Sequence, residues 1–187
     1  MTARVVLVRH TAVAKAWSGR CYGRSDMGLS RAGTASMRAL AGELAAHPFA
    51  TIVHSGAVRT RLLAERIASL TARPIATDPR WLERDFGAWE GRRWNAIWRE
   101  TGDLMDRMMT DPVGFHPGGG ESGQDLTTRV RAAWCALPTT ADTLVVSHGG
   151  PIAALRTLLA GTPMERMIDA VPPCGSWLVL PRASVLV

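Results

Sequence analysis

The chain has 187 residues, 47% of them apolar and 20% charged, with a mean hydropathy near zero. This is the composition of an ordinary folded domain with a full core. No apolar run reaches the roughly 18 residues a membrane span needs, and Arg4 and Arg9 break up the short apolar start, so neither a membrane protein nor a secretory leader is expected. The net charge of +6 comes almost wholly from scattered arginines, with Lys15 the one lysine. That pattern suits a small anionic substrate better than nucleic acid. Cys21, Cys135 and Cys174 are far apart and in no CxxC pair, which argues against a disulfide framework or a zinc site and points to a cytoplasmic location.

Val5-Val6-Leu7-Val8 reads as a buried strand that ends in Arg9-His10. A loop from Thr11 to Leu29 follows, long for a strand-to-helix connection and therefore a candidate functional loop. Ser30 fits an N-cap for a helix marked by Met37, Leu40, Ala41 and Leu44 and ended by Pro48. Thr51 to His54 is a second short strand, and Val58, Leu62, Leu63, Ile67 and Leu70 mark a second helix. Pro74 to Thr77 is a third strand. From Arg92 to Met109 the spacing predicts a helix with an uneven pattern, followed by a Gly/Pro-rich loop, Pro112 to Gly120. Ser122 with Asp125 predicts a capped helix through Val130 and Trp134. Leu144-Val145-Val146-Ser147 repeats the strand-then-histidine pattern, ending in His148-Gly149-Gly150. Pro151 to Leu159 predicts a further helix, and Thr162-Pro163-Met164-Glu165 resembles the start of another. Ser176 to Leu180 and Val185 to Val187 close the chain as strands. This alternation predicts one α/β domain over residues 1–187, a three-layer α/β/α sandwich with a mainly parallel central sheet.

In such a sheet the carboxyl ends of the strands share one edge, where ligands bind. His10 and Arg9 follow the first strand, Arg59 and Arg61 the second, Glu83 the third and His148 the fourth. Guanidinium forks suit phosphate oxygens. A neutral imidazole can attack phosphorus and split one displacement into two, and a carboxyl can supply the leaving oxygen's proton. Arg9, Arg59 and His148 would then stabilise charge on the phosphoryl group.

Five segments, in order, resemble the histidine phosphatase superfamily, which includes the cofactor-dependent phosphoglycerate mutases. They are Arg9-His10, Ser55 to Thr60, Leu82-Glu83 with Phe86-Gly87 and Trp89-Glu90-Gly91, Gly119 to Ser122, and Ser147 to Gly150. The resemblance implies a phosphoglycerate mutase-like fold with His10 as nucleophile, Glu83 as proton donor, and Arg9, Arg59 and His148 as the phosphate pocket. It implies no metal and no cofactor. The stretch Arg20 to Asp26 is similar to a loop of α-ribazole phosphatases in cobalamin biosynthesis. That likeness implies α-ribazole 5′-phosphate as substrate; Tyr22, Gly23 and Arg24 of this loop, and Gly149 after the second histidine, are the candidate substrate-binding residues.

The chain departs from the family after the nucleophile, where Thr11-Ala12-Val13 stands in place of the usual Gly, acid or amide, and hydroxyl residue. We read Thr11 as supplying a replacement hydroxyl to the phosphate. Glu90 and Asp85 remain alternative acids, and Trp89 and Trp94 are candidates to face the site. Asp26 reads as a loop-ordering acceptor; Arg61, His54 and His116 read as ordinary polar residues. The competing functions are a broad sugar-phosphate or nucleotide phosphatase, a mutase, and a catalytically silent phosphate binder. The expected partner is a small phosphate ester, with no nucleic acid and no membrane, the protein being a monomer or homodimer.

Overall fold

A computed structural model describes residues 2–182, so the strand expected at Val185–Val187 lies outside the described residues. Among the described residues the sheet has five strands: β1 (Arg4–Arg9), β2 (Thr51–His54), β3 (Ile75–Thr77), β4 (Thr143–Ser147) and β5 (Trp177–Pro181). Their order is β3-β2-β4-β1-β5. All neighbours are parallel except β5, which runs antiparallel to β1 at the edge.

Alternation along the central strands builds the two outer layers. Val5 and Leu7 of β1 join Val145 on one face, against helices α5 (Gly123–Cys135) and α6 (Gly149–Ala160). Val6 and Val8 join Ile52 and Leu144 on the other, against α1 (Arg31–Ala45) and α2 (Val58–Thr71). The helix after β1 therefore covers one face and the helix after the adjacent β4 covers the other. Their connections diverge at the β1/β4 edge, which is the topological switch point where open sheets place their crevice. A third apolar cluster of Cys21, Trp89, Ile97 and Phe115 lies beneath the long loops.

The expected caps hold in part. Ser30 caps α1 through the Gly33 N–H, and Ser122 with Asp125 forms a full capping box on α5. The uneven helix from Arg92 to Met109 is in fact broken. It comprises α3 (Trp94–Thr101), a 3₁₀ turn at Gly102–Asp106 and α4 (Arg107–Thr110). The break falls at Gly102, whose φ of +55° is left-handed. Likewise, the Thr162 tetrad does not start an α-helix. Pro163 occupies the cap position with no side-chain bond, and Met164–Ala170 is a 3₁₀ helix.

Candidate active site

β1 delivers His10 fully buried at the sheet edge, where its N–H donates to the Ser147 carbonyl of β4 at 3.1 Å. Ring Nδ1 lies 2.8 Å from the Thr11 carbonyl oxygen. A carbonyl only accepts, so Nδ1 carries the hydrogen and Nε2 holds a lone pair. Nε2 is buried and makes no hydrogen bond. Burial, partly opposed by the Thr11 bond, pushes the His10 pKa down to about 3. The ring is therefore neutral at pH 7 and offers a free nitrogen lone pair. On the preceding residue, Arg9 Nη1 donates to the Pro172 carbonyl while Nε is also buried without a partner. A free lone pair and an unpartnered cationic N–H thus stand on adjacent residues at the end of one strand.

β4 delivers His148, fully buried, with its ring edge-on to His10 at 5.2 Å between centroids. Arg59 Nε donates to His148 Nδ1 at 3.2 Å, which leaves Nε2–H to donate to Ser55 Oγ at 2.8 Å. The chain continues from Ser55 Oγ to Thr60 Oγ1, and from there to the Ala57 carbonyl. Both nitrogens of His148 are engaged, so its ring orients Arg59 and borders His10. Burial, reinforced by the neighbouring Arg59 charge, holds its pKa well below the usual histidine value.

Arg59, fully buried at the start of α2, fastens the long loop to the sheet edge. Nη1 donates to Ser25 O and Nη2 to Gly23 O, at 2.9 and 2.7 Å, and the guanidinium lies 5.3 Å from the Tyr22 ring centroid. Asp26 Oδ1 accepts the Val58 N–H, capping α2 from a distance, as a loop-ordering acceptor would. Glu90 completes the clamp by accepting from Arg24 N, Ser25 N, Ser25 Oγ and Phe86 N. Gly23 is required there, because a Cβ on it would fall 2.3 Å from Glu90 Oε1.

These contacts separate the three acids. Both Glu90 oxygens are committed to the loop. Asp85 accepts from Gly87 N and pairs with Arg24. Glu83 is buried, and its Oε1 accepts from Arg84 N and from Gly150 N in the first turn of α6, each at 2.9 Å. Its Oε2 has no hydrogen bond among the described residues. Gly150 makes room for this contact, since a Cβ on it would sit 2.3 Å from that same Oε1.

The profile of the histidine phosphatase superfamily (branch 1) matches residues 5–182. The chain belongs to this superfamily. It is 30% identical over 163 residues to the probable phosphoglycerate mutase GpmB of Yersinia enterocolitica, covering 86% of this chain and 76% of that protein. With a bifunctional protein of Mycobacterium tuberculosis the identity is 33% over 159 residues, 83% of this chain but 43% of that one. Among solved structures, the mycobacterial glucosyl-3-phosphoglycerate phosphatase aligns with a TM-score of 0.83 at 25% identity, covering 96% of this chain and 90% of that one. An Escherichia coli protein proposed to be an α-ribazole-5′-phosphate phosphatase aligns at 0.84 and 26% identity, with the same coverage.

In this phosphatase a cavity of about 420 Å³ opens beside the buried histidines, with Arg9, Tyr22, Gly23, Glu83, Gly149 and Gly150 on its near wall. His10, Arg59 and His148 are not among its lining residues, although Arg9 and Gly149 beside the two histidines are. Trp94 lines the cavity, whereas Trp89 is buried in the third apolar cluster. Arg24 does not line it, because its guanidinium is held by Glu121 and Asp85. Thr11 is also turned away, its hydroxyl donating to Gly33 O of α1 at 2.8 Å. The whole altered stretch serves α1 in this way: Ala12 O accepts from Ser30 N, and Val13 pairs with Leu29.

Three contributors escape a reading of the sequence. Ser55 lies inside a recognised segment, but nothing in the segment says that it holds His148. Arg129 donates to the carbonyls of Arg80, Leu82 and Glu83 and pairs with Glu121, fixing the backbone that carries Glu83. Arg84 lines the cavity with its Nη2 buried and unpartnered. The signal for Arg84 was adjacency to Glu83, whereas Arg129 lies 46 residues away from the acid and carries none.

Proposed function

We propose that this protein is a phosphomonoesterase working through a phosphohistidine. His10 Nε2 attacks phosphorus, forming the P–N bond as the ester P–O bond breaks. A proton on Glu83 passes to the departing alcohol oxygen. Water then attacks phosphorus, the P–N bond breaks, and Glu83 takes up a proton from that water. Arg9, with the remaining Nη2 hydrogen of Arg59, stabilises the phosphoryl oxygens. The observation that carries this reading is His10 itself: Nδ1–H tied to the Thr11 carbonyl and Nε2 buried with its lone pair free. Among the described residues no group of three His, Cys, Asp or Glu side chains is placed to hold a metal ion.

For the substrate we propose α-ribazole 5′-phosphate. The reading rests on the Arg20–Asp26 loop and is supported by likeness to the E. coli protein. A cytoplasmic site of action fits that chemistry, and no helix among the described residues is long and apolar enough to cross a membrane. The test is hydrolysis of p-nitrophenyl phosphate and of a panel with α-ribazole 5′-phosphate, 3-phosphoglycerate and sugar phosphates. We expect turnover that survives a chelator and falls at least about 10⁴-fold in His10→Ala, with acid-labile label trapped on the wild type from a ³²P-labelled ester. Undiminished activity in His10→Ala refutes the mechanism; no preference for the riboside refutes the substrate.

A further inference from the structure

The wall of the cavity away from the histidines has an unusual composition. Two separate segments, 105–109 and 164–167, bring five methionines to it: Met105, Met108, Met109, Met164 and Met167. Trp94 and Phe86 stand beside them as an edge-to-face pair with centroids 5.4 Å apart. No lining residue is Ser, Thr, Asn or Gln, so the phenol of Tyr22 is the one side-chain hydroxyl. Arg20, also on the wall, is committed to the carbonyls of Ala16 and Gly91.

Glu165 and the unpartnered Nη2 of Arg84 could meet one or two hydroxyls, but against the methionines and aromatic rings the remaining hydroxyls of a polyhydroxylated alcohol would be buried without partners, which is costly. A flat apolar ring would instead meet thioether sulfurs and aromatic edges, which favour such contacts and adjust to ring shape. The same cavity touches Arg9, Glu83 and Gly150, so an alcohol lying in it reaches the carboxyl read above as the proton donor.

We propose that this methionine wall is the specificity element of the enzyme and selects phosphate monoesters whose alcohol carries a planar aromatic ring. The inference rests on the phosphomonoesterase reading and extends it from the phosphate to the alcohol half. It does not depend on the riboside being the natural substrate.

The test compares kcat/KM of the full chain on three primary-alcohol esters, so that leaving-group reactivity does not drive the result: 2-naphthylmethyl phosphate, cyclohexylmethyl phosphate and glycerol 1-phosphate. We expect the naphthylmethyl ester to exceed glycerol phosphate by at least about tenfold, with the cyclohexyl ester between them. The double variant Met105→Gln, Met167→Gln, isosteric and at partly exposed sites, should compress the naphthylmethyl-to-glycerol ratio toward one. Parity or a preference for glycerol phosphate in the wild type overturns the proposal. Equal rates on the cyclohexyl and naphthyl esters overturn its aromatic part, and an unchanged ratio in the double variant overturns the methionine assignment. If no ester is cleaved, p-nitrophenyl phosphate included, it is the phosphomonoesterase reading that has failed.

Discussion

The two ends of the cavity are built on opposite terms. At the histidine end, side chains hang from central strands and from the first turn of α2, and a dense hydrogen-bond network leaves a few atoms unpartnered, among them His10 Nε2 and Arg9 Nε. His148 spends both ring nitrogens, Arg59 most of its donors and Glu90 both oxygens on fixing one arrangement. At the methionine end the wall comes from short helices and 3₁₀ turns, with Leu104, Met109 and Ile168 exposed and no hydrogen-bond network tying the thioethers down. Transition-state chemistry needs groups held to within a fraction of an ångström, whereas recognition of an apolar ring tolerates and even uses soft walls. If the proposed function and specificity wall hold, the contrast lets one sheet edge keep its phosphoryl chemistry while a neighbouring wall sets the alcohol.

Glu83 stands at the border between the two ends, and its substitution is the largest effect we expect after loss of the nucleophile. In Glu83→Gln the amide oxygen still accepts from Arg84 N and Gly150 N, so the geometry survives and only proton transfer is lost. We expect kcat on an alkyl phosphate to fall by about 10² to 10⁴-fold, and on p-nitrophenyl phosphate, whose leaving group needs little help, by far less. Equal losses on both esters would mean that Glu83 positions the phosphate and leaves protonation to another group.

How much of this contrast the amino-acid order discloses follows the same division. β1 and β4 are apolar, β-branched runs that each stop at a histidine, so their depth in the sheet and the chemistry at their ends are both local in the chain. The cap on α1 and the capping box on α5 are local too. Ser55 bonded to His148 spans 93 residues and Arg129 bonded to Glu83 spans 46, and no periodicity encodes such pairs. The methionine wall was hidden for a similar reason. Its residues come from two segments far apart in the chain, 105–109 and 164–167, and no local pattern shows that they share one wall.

Acid sharpens the comparison further. His10 and His148 both exclude a proton that an unfolded histidine binds at its ordinary pKa of 6.5. The folded value lies below the unfolded one for each, so the unfolded chain binds more protons as pH falls. This share of stability is fully present above pH 6.5 and is lost toward the folded His10 value of about 3. The slope contributed approaches about 1.4 kcal/mol per pH unit for each histidine. Urea unfolding between pH 7 and 4 should therefore show a slope that His10→Gln makes shallower and that Met105→Gln, Met167→Gln leaves alone. An equally steep slope in His10→Gln would show that His10 takes up its proton without unfolding.

The smallest effect concerns Thr11, where a reading from the chain alone and the folded arrangement disagree. The former assigns its hydroxyl to the phosphate; in the fold that hydroxyl is donated to Gly33 O, and its neighbours Ala12 and Val13 pair with Ser30 and Leu29. Thr11→Val keeps the shape and removes the O–H, and the backbone carbonyl that orients His10 Nδ1 is untouched. We expect a stability loss of about 1 kcal/mol, read by urea unfolding, with KM for an alkyl phosphate held within about twofold. A large rise in KM at unchanged stability would return the hydroxyl to the phosphate. The loss expected here makes the stretch after His10 part of the scaffold that holds the start of α1, and in the proposed mechanism it leaves the phosphoryl oxygens to Arg9 and Arg59.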